Sequence, residues 1–160
     1  MERPQLINVS AMVIYAVSKT TSGEMSLREF LKELDEEGKL AHVRKPISGK
    51  FEAAAVLKRL DPTPVLFHEL KEYPGFKLVG NLCAERKLLS KAIGMNEGLL
   101  LERLMDAMEN PAEPEVVENP PCQEIVIDEP DLRKLPFLWF GAKDGGPYLT
   151  AGIIIARDPE

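Results

Sequence analysis

Few side chains in this sequence are of a type that could do chemistry, and they lie far apart. There are two histidines, His42 and His68. His68 precedes Glu69 in the strand-like run LFHEL, and successive residues of a strand point to opposite faces, so the two make no acid–base couple. His42, between Ala41 and Val43, reads as a surface strand residue. Neither histidine has a serine or cysteine nucleophile in its local context, and two histidines are too few for a multi-histidine metal site. Cys83 and Cys122 form no CxxC, which excludes a zinc knuckle and a disulfide scaffold. Cys122 follows Pro120-Pro121 in acidic surroundings, where nothing depresses a thiol pKa, so it reads as inert packing. Gly145-Gly146 would let backbone N–H groups approach an anion. No GxGxxG or GKS/T accompanies the pair, however, and strand-like residues follow it, so it reads as a turn. Glu33, Asp35, Glu36 and Glu37 read as a solvated helix face. Trp139 and Phe140 read as core, with an apolar wall beside a ligand as the alternative. No set of residues completes a catalytic site; the pattern is a scaffold and the edge of a site.

The elements that must position these residues are better marked. In MSLREFLKELDEEGKL, Ser26 and Glu29 form a capping box and Met25 can staple onto Phe30. Leu27, Phe30, Leu31 and Leu34 give one apolar face, and Gly38 stops the helix. Leu40 to Ile47 alternates as a strand does. Phe51 to Leu60 is Ala-rich and helix-favouring, and Asp61-Pro62 ends it. PVLFHEL and KLVGNL read as two strands joined by the turn KEYPGF, hence as hairpin neighbours. AERKLLSKAIG is a helix closed by Gly94. NEGLLLERLMDAMEN is another, capped by Asn96, with a mostly apolar stripe of Leu99, Leu100, Arg103, Leu104, Ala107 and Met108. PAEPEVVENPP, with four prolines and no basic residue, is extended and reads as a linker. CQEIVID then reads as a strand, EPDLRKLP as a turn or short helix, and Tyr148 to Arg157 as a strand after the turn Asp144-Gly145-Gly146.

This order predicts an α+β fold. A leader spans 1–25, floppy or weakly strand-like. An N-terminal α+β domain with a small sheet flanked by helices covers 26–110, the linker 111–121, and the start of a second domain 122–160. The leader's apolar run, Ala11 to Val17, is seven residues long and too short for a bilayer, and it lacks a basic flank. No membrane span is expected, and patterning that begins after Met25 makes that residue an alternative start. Apolar residues are 44% of the chain, enough for a core, and the formal charge is −6. Nine Asp or Glu and no Lys or Arg lie between Arg103 and Arg133, which argues against nucleic acid as a partner. Cysteine usage points to a reduced, cytoplasmic setting.

Six segments, LREFLKELDEEGKL, FEAAAVLKRL, YPGFKLVGNL, NPPCQEIVI, LRKLP and DGGPYLTAGIIIARDPE, resemble in order and rough spacing the UbiD-like decarboxylases, over about Ser26 to Glu160. The resemblance implies an N-terminal α+β domain running into a split β-barrel that holds the cofactor, with residues 122–160 supplying its first strands. It implies non-oxidative decarboxylation of an aromatic or α,β-unsaturated carboxylic acid, in quinone or isoprenoid biosynthesis. The implied cofactor is prenylated FMN with Mn2+ and K+. The family's catalytic Arg and two Glu, and its metal-binding Asn, fall beyond the closing segment, so no catalytic or metal-ligating residue is assigned. Thr150 is the one implied cofactor contact. LPFLWFGAKDGG departs from the family's more usual LPIP-type start. The implied partners are a C-terminal decarboxylase half on the same or a separate chain, further copies in a homo-oligomer, and a flavin prenyltransferase as cofactor supplier. The chain alone is then expected to be inactive and to hold no cofactor stably. A non-catalytic assembly module, or a remnant of such an enzyme, is the alternative.

Overall fold

The computed structural model describes residues 5–8, 25–111, 118, 128–129 and 131–148. Four strands form one sheet: β1 (Gln5–Asn8), β2 (Ala41–Val43), β3 (Val65–Phe67) and β4 (Phe76–Gly80), in the order β1-β4-β3-β2. β3 and β4 are antiparallel neighbours, the expected hairpin pairing. β2 runs parallel to β3, and β1 parallel to β4. β1 thus lies within the segment read as leader, while Ala11 to Val17 falls outside the described residues.

Helices cover both faces. α1 (Leu27–Glu36) starts where the capping box predicts: the Glu29 carboxylate accepts from the Ser26 N–H at 2.8 Å, and Glu29 N–H donates to Ser26 Oγ at 3.3 Å. Gly38 takes the positive φ of 67° expected of a helix stop. α2 (Glu52–Leu60), α3 (Arg86–Ala92) and α4 (Leu100–Glu109) follow, the last entered through a 3-10 turn at Glu97–Leu99 whose Gly98 N–H donates to Asn96 Oδ1. The short helix anticipated in EPDLRKLP is a 3-10 turn at Leu132–Lys134.

Strand alternation divides the core in two. Val79 faces Phe30, Leu31 and Leu34 of α1 and Leu88 and Ala92 of α3, with Leu66 at the margin. Val65, Phe67 and Leu78 face the other way, against Ala53, Val56, Leu57 and Leu60 of α2. Leu138, from beyond the Pro-rich segment, inserts into this second cluster. The stripe on α4 is not core: Leu100 is buried, but Leu99, Leu104 and Met108 are exposed, Met108 by 83%. Amphipathic spacing marks a face that can be buried, and among the described residues this one is largely uncovered.

Candidate functional site

Among the described residues, two places gather polar groups around the histidines or around Trp139. The first is where residues 138–148 dock on the helical domain. The loop before α2 is held by two carboxylates. Glu72 accepts from the Ser48 hydroxyl and from the Gly49 N–H at 2.9 Å; Glu52 accepts from the Ser48 N–H at 2.8 Å and from Lys71 at 3.0 Å. Partial burial works against the Glu72 charge, but the bonds from Ser48 and Gly49 outweigh it and hold its pKa below the ordinary carboxylate value. The loop so fixed offers its backbone to the incoming segment. Trp139 N–H donates to Gly49 O at 3.0 Å, and Phe51 N–H donates to Trp139 O at 2.8 Å. Lys50 Nζ lies 4.8 Å from the Trp139 ring centroid, a cation–π contact, and Phe51 meets the same ring edge-on. The buried Trp139 Nε1–H has no acceptor among the described residues.

Beyond Trp139 the chain turns. Asp144 accepts from the Gly141 N–H at 2.6 Å, and Tyr148 returns to pack on Phe140 and to donate its N–H to Leu138 O. Gly145 and Gly146 stand in open space, consistent with a turn. Phe140 packs at the margin of the second core cluster and Trp139 is half-buried, so of LPFLWF it is Pro136 and Leu138 that are fully inside. Thr150 and Cys122 lie outside the described residues. Burial pushes the Cys83 thiol up, the opposite of an activated thiolate.

The second place was not foreseen. His42 is not an isolated surface residue: its Nδ1 lies 2.8 Å from His68 Nε2, and its Nε2 lies 2.8 Å from Asp35 Oδ1. Asp35, read as part of a solvated face, sits in the last turn of α1. His42 and Leu66 are register partners in β2 and β3, so His68, two residues after Leu66, emerges on the α1 face beside His42. Glu69 follows the end of β3 and is exposed. Alongside runs a shallow hollow of about 320 Å3 with Leu31, Leu40 and Leu66 as floor and Arg28, Lys32, Asp35 and Lys77 at its rim. Burial foremost, then the charges of Arg44, His42 and Lys77, hold the His68 pKa below the usual histidine value, with Asp35 opposing. Among the described residues no three His, Cys, Asp or Glu form a metal-binding group, and no helix is long and apolar enough to cross a membrane.

Comparison with known proteins gives these places a family setting. Residues 31–108 match the 3-octaprenyl-4-hydroxybenzoate carboxy-lyase N-terminal domain, and residues 115–160 match the Rift-related domain of the same enzymes. An anhydromevalonate phosphate decarboxylase of Methanosarcina mazei is 36% identical over 133 residues, which is 83% of this chain and 30% of that protein. Among solved structures, an evolved dimeric form of the UbiD-class enzyme HmfF from Pelotomaculum thermopropionicum, in complex with prenylated FMN (prFMN), superposes with a TM-score of 0.76 at 38% identity, covering 84% of this chain and 33% of that one. The vanillic acid decarboxylase of Sedimentibacter hydroxybenzoicus superposes with a TM-score of 0.60 at 26% identity, covering 80% of this chain and 30% of that one. The chain thus spans about a third of the length of these relatives. Two neighbouring matches to domains of these enzymes, together with the shared α+β fold, mean that this chain belongs to the UbiD family of carboxy-lyases.

Proposed function

We propose that this chain supplies the N-terminal domain and the opening of the cofactor domain of a non-oxidative decarboxylase that acts on an aromatic or α,β-unsaturated carboxylic acid through prenylated FMN. The observation that carries this is the pair of successive matches, first to the N-terminal domain and then to the Rift-related domain, within one chain. The docking of residues 138–148 supports it physically. A clamped loop, a buried Leu138 and the Lys50–Trp139 contact hold the segment that precedes residues 149–160 in the sequence. Those residues carry Thr150, proposed here as a cofactor contact on the first strands of a split β-barrel.

Among the described residues no three His, Cys, Asp or Glu form a metal-binding group, and no step of the reaction is assigned to them. On this reading the catalytic Arg and two Glu, and the ligands for Mn2+ and K+, come from a C-terminal half on the same or a second polypeptide. The assembled enzyme is a cytoplasmic homo-oligomer fed by a flavin prenyltransferase. Relatives acting on a phosphorylated enoic acid and on vanillic acid both match, so the substrate panel must include both kinds, in keeping with a role in isoprenoid or quinone biosynthesis.

The test combines this chain with the C-terminal two-thirds of a UbiD enzyme and prenylated FMN, and follows CO2 release from aromatic, enoic and phosphorylated enoic acids. Release that requires both polypeptides is the expected result. No release across the panel counts against the enzyme reading, and turnover by this chain alone overturns the division of labour. Thr150→Val is expected to lower flavin retention in the combined protein, and unchanged retention removes Thr150 from the cofactor site.

A further inference from the structure

We propose that Asp35, His42 and His68 form a single-proton clamp that ties the last turn of α1 to the sheet and lets go when a second proton is forced onto it. The geometry specifies the protons. The two imidazoles meet end to end: ring centroids 5.1 Å apart are what two five-membered rings touching atom to atom at 2.8 Å require. A metal ion would sit about 2.0–2.1 Å from each nitrogen, which that gap does not allow with the nitrogens aimed at one another. A proton fits it.

With no added proton, Asp35 accepts from His42 Nε2–H, which leaves His42 Nδ1 as an acceptor for His68 Nε2–H. His68 Nδ1 is then bare. One proton arriving at His68 Nδ1 lets the shared proton cross from His68 Nε2 to His42 Nδ1. His42 becomes the imidazolium, hydrogen-bonded to the Asp35 carboxylate, and His68 stays neutral. The chain of bonds survives this step. A second proton has only His68 Nε2 to occupy, and two N–H groups would then face each other across 2.8 Å. Other groups oppose it as well: Arg44 follows β2, Lys77 projects from β4 on the same face, and Arg28 and Lys32 of α1 stand at the rim of the adjoining hollow. Of the facing groups among the described residues Asp35 is the one that favours added charge, and His42 already uses it.

Below the ordinary histidine value of 6.5 His68 takes up a proton in the unfolded chain that the clamped form refuses. The clamp's contribution to stability is therefore complete above that value and is lost as pH falls through the lowered value of His68. These are the only two histidines in the chain, so they dominate any slope between about pH 8 and 5.

The test is urea unfolding of the full chain across that interval. Wild type is expected to show its unfolding constant rising by up to about tenfold per pH unit below about 6.5. His68→Gln, which can still donate to His42 but cannot titrate, is expected to be nearly flat. Equal slopes in the two proteins overturn the proposal. Should His68→Gln not fold, imidazole 15N spectra of the wild type decide the matter. A through-hydrogen-bond coupling between His42 Nδ1 and His68 Nε2, with one proton taken up by the pair before the other, supports the clamp. Two independent single-site titrations without coupling overturn it.

Discussion

Replacing Leu138 by alanine tests whether the segment after the Pro-rich stretch is part of the folded core. Leu138 is fully buried among Ile47, Ala53, Val65, Phe67, Leu70 and Leu78. Such a truncation costs about 2–5 kcal/mol, depending on how far the surroundings collapse into the space. Collapse is restricted here. The backbone at 138–139 is tied to Gly49 and Phe51, and a Leu138 methyl already lies 3.4 Å from where a Gly49 Cβ would stand. The expected loss is therefore in the upper half of the range, about 3–5 kcal/mol, a large share of the roughly 5–15 kcal/mol that holds a domain together. For a chain of this size that corresponds to a fall in Tm of about 6–20 °C. The chain has one tryptophan, Trp139, adjacent to the change, so its fluorescence reports docking of the segment while far-UV circular dichroism reports the helices. In wild type the two transitions should coincide in urea. In Leu138→Ala both should move to lower urea, with the fluorescence change leading. A destabilisation under about 1 kcal/mol would refute the reasoning, since Leu138 would then not be packed as described.

Asn81 holds a positive φ of 62° and donates from Nδ2 to Leu57 O at 2.9 Å and Thr63 O at 3.1 Å. Asn81→Ala should cost about 2–4 kcal/mol from two lost bonds and a left-handed backbone, and Asn81→Gly about 1 kcal/mol less; chemical denaturation that ranks alanine at or above glycine would refute the backbone part. The acid limb of stability has identified sources. Glu29, Glu37, Glu52 and Glu72 are all held below the ordinary value of 4.5, Glu37 to about 2 by Lys39 and then Lys91. A lowered carboxylate pKa stabilises the fold above the ordinary value and loses that contribution as pH falls, so the urea midpoint should drop from about pH 4.5 downward. Lys91→Met should flatten the most acidic part of that profile, and an unchanged profile would refute the assignment.

What was legible in the sequence was local. The Ser26–Glu29 box, the glycine stop at Gly38 and the Asn96 cap depend on residues within a few positions of each other, where hydrogen-bonding reach and allowed backbone angles leave little choice, and the hairpin of β3 and β4 joins strands separated by one short connection. The family resemblance was legible for a related reason, because the six segments keep their order and spacing. The amphipathic spacing of α4 was also readable, but not that the other described residues leave most of its stripe uncovered, since a helix carries no record of what stands opposite it. The site at Asp35, His42 and His68 was hidden. His42 and His68 are 26 residues apart and meet only because α2 carries the chain across so that β3 lies parallel to β2 with Leu66 beside His42. Asp35 joins them because α1 packs on that face of the sheet. Sequence set the faces on which these side chains project; strand order, register and helix placement, which are long-range properties of the packed chain, decided which of them touch.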